Sequence, residues 1–124
     1  MKTDYITSGS TLPPSLAFPR FLLGVSVRFT AKEVYAVMLD MVLNSENVQT
    51  DKHGRRYLAF FNKTIAEIID RTPSTVAQAL RELEDVGLVE KKLIALHVPY
   101  HVYVKLPITE DAFLHVGSME QGGT

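Results

Sequence analysis

Three hydrogen-bonding side chains in the middle of the chain recur at intervals that would align them on one face of a helix. Ser74, Gln78 and Arg81 are separated by four and three residues, which makes them neighbours on a helix with 3.6 residues per turn. Gln can hydrogen-bond adenine and Arg can hydrogen-bond guanine at the base edges exposed in the major groove of DNA. The types and spacing of these residues are therefore suited to reading a duplex.

The segment that carries these side chains has clear helix signals at both ends. Thr72 can cap the N terminus, and the proline that follows it is tolerated at the first helical position. Gly87 follows the last periodic residue, as a glycine beyond a helix C terminus does, and Leu83 and Leu88 would form the hydrophobic pair of a Schellman motif. We therefore predict a helix over residues 73–86.

The remaining positions of this helix divide into a core face and an acidic end. The predicted core positions are Val76, Ala79, Leu80, Leu83 and Val86. The acids Glu82, Glu84 and Asp85 all lie in the C-terminal half, whereas helix-turn-helix proteins read bases mainly with the N-terminal part of their recognition helix. An ordinary amphipathic surface helix would show the same capping and solvation pattern, so the helix alone leaves both interpretations open.

Two elements are predicted at the start of the domain. Residues 15–23 are apolar but interrupted by Pro19, which predicts an extended piece or a single turn packed on the domain. Thr30 and Glu33 have the spacing of a capping box. Apolar residues then recur at helical spacing, which predicts a first helix over about residues 31–43.

A turn, a strand and a short helix are predicted between the first helix and the segment after Thr72. The turn is Asp51–Gly54, and the strand that returns from it covers residues 56–61. Asn62 is a plausible cap for a second helix over residues 63–70. Since only a few residues around Arg71 separate this helix from the next, the order of elements predicts a helix-turn-helix.

The C-terminal part of the chain favours a hairpin. Residues 88–96 and 101–106 are rich in β-branched and aromatic types, and His97–Tyr100 separates them. The predicted fold class is α+β, mainly α: a winged helix-turn-helix with three core helices and a C-terminal β-hairpin wing. We predict a flexible N-terminal arm over residues 1–15, one DNA-binding domain over residues 16–106, and an acidic, partly disordered tail over residues 107–124.

Composition narrows the classes of function. The net charge of −1 is unevenly distributed, because residues 52–105 carry nine basic and six acidic side chains, whereas residues 106–124 carry three acids and no base. Local charge rather than the total decides whether nucleic acid can bind. The absence of cysteine excludes disulfides and thiolate metal sites. No secretory signal or membrane-spanning run is visible, so we expect a cytoplasmic protein without a membrane partner.

Metal binding and catalysis find little support. His97 and His101 are four residues apart, but Pro99 and the strand-like flanks argue against a helix there, and no third ligand is evident. No glycine-rich phosphate loop or nucleophile motif is present. We therefore expect no enzyme activity, no metal or cofactor and no small-molecule substrate.

Five segments, in order, resemble a known family. They are FPRFLL, FTAKEVYAVMLDMVLNS, TDKHGRRYLAFFNKTIAEII, STVAQALRELEDVGLVEKK and YHVYVK, which together span residues 18–105. This pattern is similar to the N-terminal domain of the replication initiator A proteins of Gram-positive plasmids and related mobile elements. The chain departs from the family at the wing tip, LHVPYH, where the family has a tip rich in glycine and lysine.

The resemblance implies a winged helix that binds repeated sites at a replication origin, usually as a dimer. By position it carries over Ser74, Thr75 and Gln78 as residues of the recognition helix, and it implies phosphate contacts from Lys63, Thr64 and Arg71. The full set of residues predicted to contact DNA is Lys63, Thr64, Arg71, Thr72, Ser74, Thr75, Gln78, Arg81, Lys91 and Lys92.

Three hypotheses follow for the function of the chain. The first is sequence-specific binding of double-stranded DNA in replication initiation or control of a plasmid or mobile element. The alternatives are a transcriptional regulator with the same fold and a winged-helix protein-interaction module that does not bind DNA. The apolar segment around Phe18–Leu23, together with the first helix, exceeds what a small core needs, which predicts a homodimer.

Overall fold

A computed structural model describes residues 1–44, 48–60 and 62–108. The predicted tail beyond residue 108 and the predicted end of the strand at Phe61 lie outside the described residues. A 3-10 turn, Arg20–Gly24, precedes the regular elements. These are α1 Phe29–Asn44, β1 Gln49–Thr50, β2 Arg56–Phe60, α2 Asn62–Ile69, α3 Pro73–Asp85, β3 Val89–Lys92 and β4 Tyr100–Val104.

Helix α1 is the centre of the core. Half of its residues are buried, because α2, α3, β2 and β4 all pack against it. Tyr35 is fully buried in α1, and its hydroxyl donates a hydrogen bond of 2.7 Å to the carbonyl of Lys105, just beyond β4. Burial raises the pKa of Tyr35 to about 12. Leu22 of the 3-10 turn is also fully buried, so the turn predicted around Pro19 does pack on the domain.

The start of α1 differs from the prediction. The helix begins at Phe29, and the carbonyl of Arg28 accepts the amides of Ala31 and Lys32 at 3.0 and 3.3 Å. Arg28 therefore holds the capping position, and Thr30 already lies inside the helix. Glu33 Oε1 is buried with no hydrogen-bond partner among the described residues, so the expected capping box does not form the start of α1.

The connection between α2 and α3 is three residues long, as a helix-turn-helix requires. Asn62 is the first residue of α2, and its Oδ1 is buried without a partner in the described part of the chain, so the expected cap at Asn62 is wrong. Asp70 ends α2 with φ of 56°, and the Arg71 amide donates to the carbonyl of Ala66 at 2.9 Å. This is the left-handed helix stop that glycine usually makes.

The termini of α3 follow the sequence signals closely. Thr72 is extended, and its side chain accepts the amide of Thr75. At the other end Gly87 has φ of 83°, and the Leu88 amide donates to the carbonyl of Leu83 at 2.9 Å, which confirms the predicted Schellman motif. The helix ends one residue earlier than predicted, and Val86 is 42% exposed, so its assignment to the core is wrong.

The four strands form one antiparallel sheet in the order β1-β2-β4-β3. The pairs Leu58↔Val102 and Val89↔Val104 line the face that meets the core. Because β4 lies between β2 and β3, the C-terminal hairpin is built into the sheet and is not free-standing. The fold is α+β and mainly helical, with three core helices and a C-terminal hairpin, as predicted. No helix in the described ranges is long and apolar enough to cross a membrane.

Candidate nucleic-acid interface

Helix α3 presents one continuous polar face to solvent. Ser74, Gln78 and Arg81 are exposed, and we call these three residues the donor face. The opposite positions Val76, Ala79, Leu80 and Leu83 are fully buried. Burial of these four side chains fixes the rotation of the helix about its axis, so the donor face is held outward by the core. The sequence prediction of the two faces is confirmed at these seven positions.

The hydroxyls at the N terminus of α3 form a small cluster around the cap. Thr72 Oγ1 lies 3.1 Å from Ser74 Oγ and 2.9 Å from Thr75 Oγ1, and it accepts the Thr75 amide at 3.2 Å. Thr75 is half-buried. The Thr75 hydroxyl therefore hydrogen-bonds within the cap, whereas Ser74 is exposed on the surface. These contacts hold the first turn of α3 in a defined arrangement before any ligand arrives.

Further predicted contact residues flank this first turn. Lys63 and Thr64 are exposed at the start of α2. Arg71 is exposed in the connection between the helices, and its only side-chain hydrogen bond within the described residues is a long one of 3.4 Å to the carbonyl of Asp70. Unsatisfied amides make a helix N terminus partially positive. The exposed guanidinium of Arg71 beside the start of α3 adds to that positive field, which favours an anion.

An ion pair that the sequence did not reveal anchors α3 to the start of α1. The Glu82 carboxylate accepts the backbone amide of Arg28 at 3.1 Å and its guanidinium at 2.8 and 3.0 Å. The hydrogen bond from Arg28 lowers the pKa of Glu82. Glu82 thus remains charged and is paired with Arg28. The two residues are far apart in sequence, so no local pattern could have identified them.

The two lysines of β3 differ in their surroundings. The Nζ atom of Lys91 lies 3.9 Å from the centre of the Tyr100 ring, and this side chain is half-buried. Lys92 is exposed opposite His101 in the sheet register. A cation over an aromatic ring is stabilised where it sits. Lys92 is therefore the freer of the two to contact a phosphate.

The outer face of the sheet holds a cluster that sequence analysis did not assemble. The Tyr57 ring stacks on His101 with 4.2 Å between ring centres. Tyr103 packs beside Tyr57, and its hydroxyl donates to Asp51 at 3.0 Å. Asp51 also accepts the Arg55 guanidinium at 2.9 Å. These residues lie on strands and a turn distant in sequence, and their contacts depend on the β2–β4 pairing.

Contacts in the sheet and its hairpin also determine where His97 and His101 lie. His101 is occupied by its stack on Tyr57, and His97 lies at the turn of the hairpin. Across residues 1–44, 48–60 and 62–108 no group of three or more potential metal ligands comes together.

The sequence was compared with models of known protein families. The model of the replication initiator protein A N-terminus matches residues 19–115, which is most of the chain. The chain belongs to this family. The family match includes α1 to α3, the whole sheet and every residue of the donor face. A search of curated proteins found no match.

Solved structures agree with the fold of this family member. An "N-Terminal domain of DNA binding protein" is 20% identical, with TM-score 0.69, over 99% of this chain and 98% of that chain. A "Rep-DNA complex" is 21% identical, with TM-score 0.72, over 90% and 89%. An "MDR initiator" is 24% identical, with TM-score 0.62, over 77% and 76%. At these identities the likeness shows a shared fold.

Proposed function

We propose that this replication initiator domain binds double-stranded DNA as a winged helix-turn-helix, with the donor face of α3 in the major groove of a replication-origin site. The observation that carries the proposal is the donor face itself. It stands next to a capped, positively polarised helix terminus, and the acids lie at the other end of the helix. Membership of the initiator family and the fold shared with a protein described in a Rep–DNA complex support the proposal.

The predicted residues take distinct roles in this proposal. Gln78 and Arg81 hydrogen-bond base edges, as their side-chain geometry suits adenine and guanine. Ser74 and the Thr72–Thr75 cap face the phosphate that the helix terminus attracts. The flanking phosphate contacts are Lys63, Thr64, Arg71, Lys91 and Lys92. Binding requires no metal, cofactor or catalytic group in this scheme.

Substitution of the donor face tests the proposal. Duplexes that the chain binds are first selected from a random pool, and affinity is then measured for Gln78→Ala and Arg81→Ala. Each substitution removes a contact to one base, so each is expected to weaken binding by about 1–3 kcal/mol and to relax the preference at one position. Glu84→Ala, on an exposed position of the same helix, is the matched control and should leave the preference intact.

The outcomes separate the proposal from its alternatives. Phosphate contacts make affinity fall steeply with salt. If the chain shows no salt-sensitive binding to any duplex at low salt, the protein-interaction hypothesis is favoured. If binding occurs but neither substitution changes affinity or preference, α3 is not the reading element. Selected sites that lie in origin repeats support replication, and sites in promoters support the transcriptional alternative.

We further propose that the domain acts as a homodimer. Four large apolar side chains between residues 16 and 29 are exposed, namely Leu16, Phe18, Leu23 and Phe29. We call these four residues the apolar N-terminal patch. Within it the rings of Phe18 and Phe29 stack with 6.1 Å between their centres. A second copy that covers the patch would remove this surface from water.

A further inference from the structure

The four-stranded sheet buries only one of its two faces. Alternate residues of a strand point to opposite faces, and Leu58 and Val102 point into the core. The residues that alternate with them include Tyr57, Ala59 and His101, which are exposed or half-buried and line the outer face. The solvent face of an antiparallel sheet is usually polar. Cross-strand pairing explains part of the presence of aromatic rings on this face, but it does not explain the cations and the cavity beside them.

Three rings follow one another across this outer face. Tyr103 and Tyr57 have 5.6 Å between their ring centres, and Tyr57 and His101 have 4.2 Å. We call these three residues the aromatic row. The guanidinium carbon of Arg55 lies 5.3 Å from the centre of the Tyr103 ring, at one end of the row. At the other end Ala59 stands opposite His101 in the strand register, and its side chain stops at Cβ and does not cover the imidazole. A further flat ring can therefore extend the row at His101.

A cavity of about 400 Å³ adjoins the Tyr103 end of the aromatic row. Cavities of this size hold small ligands or parts of larger ones. Its charged and aromatic lining residues are Arg55, Arg56, Glu90, Tyr103 and Lys105. Arg55 is paired with Asp51 at 2.9 Å, which leaves Arg56 and Lys105 against Glu90. The cavity therefore combines an excess of positive charge with direct contact to the row.

Backbone contacts hold these two cations in place. The Lys105 amide donates to the carbonyl of Leu88 at 2.8 Å, and the Lys105 carbonyl accepts the Tyr35 hydroxyl at 2.7 Å. Its side chain is exposed between these anchors. Arg56 Nη1 donates to the carbonyl of Val42 at 3.0 Å, which is the only side-chain hydrogen bond of Arg56 within the described residues. The other N–H groups of the guanidinium can donate to a ligand. Such positioned cationic donors suit a phosphate.

We propose that the outer face of the sheet binds single-stranded nucleic acid, with a base stacked on the aromatic row at His101 and a phosphate held by Arg56 and Lys105 in the adjoining cavity. This site is separate from the donor face of α3 and uses none of the residues assigned to duplex binding. Stacking needs the flat face of a base, which a duplex hides between neighbouring pairs and a single strand exposes. Aromatic stacking and a positively charged groove are the contacts by which proteins hold single strands with little sequence preference.

The experiment measures the fluorescence anisotropy of a labelled oligothymidylate of about ten nucleotides with the 124-residue chain. An abasic strand of the same length has the same charge but no bases, and it should bind roughly tenfold more weakly because stacking is lost. Oligouridylate in the same assay distinguishes RNA from DNA as the preferred strand. Base-dependent binding of either strand supports the proposal.

Substitutions at the two ends of the site separate stacking from charge. His101→Thr removes the ring at the end of the row and should weaken oligothymidylate binding roughly tenfold, whereas His101→Phe keeps a flat ring and should keep the affinity. Lys105→Gln removes one phosphate contact and should lower the slope of log affinity against log salt by about 0.7. Lys32→Gln, which removes the same charge from α1, is the matched control and should change neither readout.

The proposal is overturned if the abasic strand binds as tightly as oligothymidylate, or if His101→Thr binds it as tightly as the parent chain. Thermal melting of each variant checks the fold. If His101→Thr does not fold, the salt slope of Lys105→Gln decides, because Lys105 is exposed and its anchors are backbone groups. Binding of a selected duplex by the same variants should equal that of the parent chain. A failure of duplex binding therefore concerns the function proposed for α3, and a failure of single-strand binding concerns the outer face alone.

Discussion

At the scale of single residues, the described part of the chain uses the left-handed region of backbone conformation at four positions, two of them without glycine. Gly54 and Gly87 have positive φ, and so do Asp70 and His97. The glycine stop at residue 87 was predictable because glycine is the usual residue at such a position. The stop at Asp70 was not, because aspartate adopts this conformation only occasionally.

Replacement of Asp70 by glycine is expected to stabilise the fold by about 0.5–1 kcal/mol, because the helix stop would no longer hold a Cβ in the left-handed region. The converse change, Gly87→Ala, should destabilise by about 1 kcal/mol. A Cβ at Gly87 would meet no heavy atom within 4 Å, so the cost there is conformational and not steric. The free energy of unfolding of each variant is measured by urea denaturation and compared with that of the parent chain. If both variants are as stable as the parent, backbone conformation at these two positions does not affect stability.

At the scale of elements, sequence patterns located the three helices to within two residues, but they extended the first hairpin strand to residue 96 although β3 ends at Lys92. They also missed the contacts that join the elements. The periodicity of α3 predicted its buried face because a helix repeats locally. The partners of Glu82 and Asp51 were invisible, because Arg28 and Tyr103 come from elements brought near only by the tertiary fold. The capping box at Thr30 failed for a related reason: the preceding segment delivers Arg28 to both the α1 start and Glu82.

Asp51 ties the β1–β2 turn to β4, and its titration should make stability depend on pH. Burial raises the pKa of Asp51, but hydrogen bonds from the Arg55 and His53 amides, the Arg55 guanidinium and the Tyr103 hydroxyl outweigh it and leave the pKa well below its ordinary value. An aspartate has a pKa of about 3.9 in the unfolded chain. A carboxylate whose pKa is lower in the folded chain stabilises the fold at pH values above about 3.9, and this contribution is lost as the pH falls below that value.

Asp51→Asn should therefore be less stable than the parent chain at pH 7, and the difference should shrink as the pH is lowered from about 5 toward 2. Glu82 also has a lowered pKa and contributes in the same direction in both chains, so it cancels in the comparison. Urea midpoints across this pH range give the measurement. A difference that stays constant with pH would mean that the charge of Asp51 is not what stabilises the turn.

At the scale of the whole molecule, the exposed residues differ in character from one surface to another. The donor face and the β3 lysines Lys91 and Lys92 are polar or positive, whereas the apolar N-terminal patch consists of exposed leucine and phenylalanine side chains. The sequence predicted an excess of apolar residues near Phe18–Leu23. It could not show that Leu22 turns into the core while Leu23 and Phe29 remain outside, because that division depends on the 3-10 turn.

Self-association through this patch should depend on Phe29, which is 68% exposed although it begins a helix. Phe29→Ser is expected to shift a dimer to monomer in sedimentation equilibrium with little effect on monomer stability, because an exposed side chain contributes little to the core. Leu43→Ser, at the other end of α1, serves as the control, because Leu43 is also exposed. A parent chain that sediments as a monomer at high concentration, or a variant that still dimerises, would contradict this assignment.

The hydroxyl cluster at the start of α3 limits the number of hydrogen bonds that this surface can donate. Thr72, Ser74 and Thr75 together carry three hydroxyl hydrogens, and the two oxygen–oxygen contacts of 3.1 and 2.9 Å each consume one of them. One hydrogen is left to point outward. These three hydroxyls can therefore donate one hydrogen bond to a bound oxyanion, and any additional donors must come from main-chain amides or from the flanking side chains such as Arg71. Removal of the Thr72 hydroxyl would release both neighbours, so its loss should alter what the surface accepts as well as how firmly the helix begins.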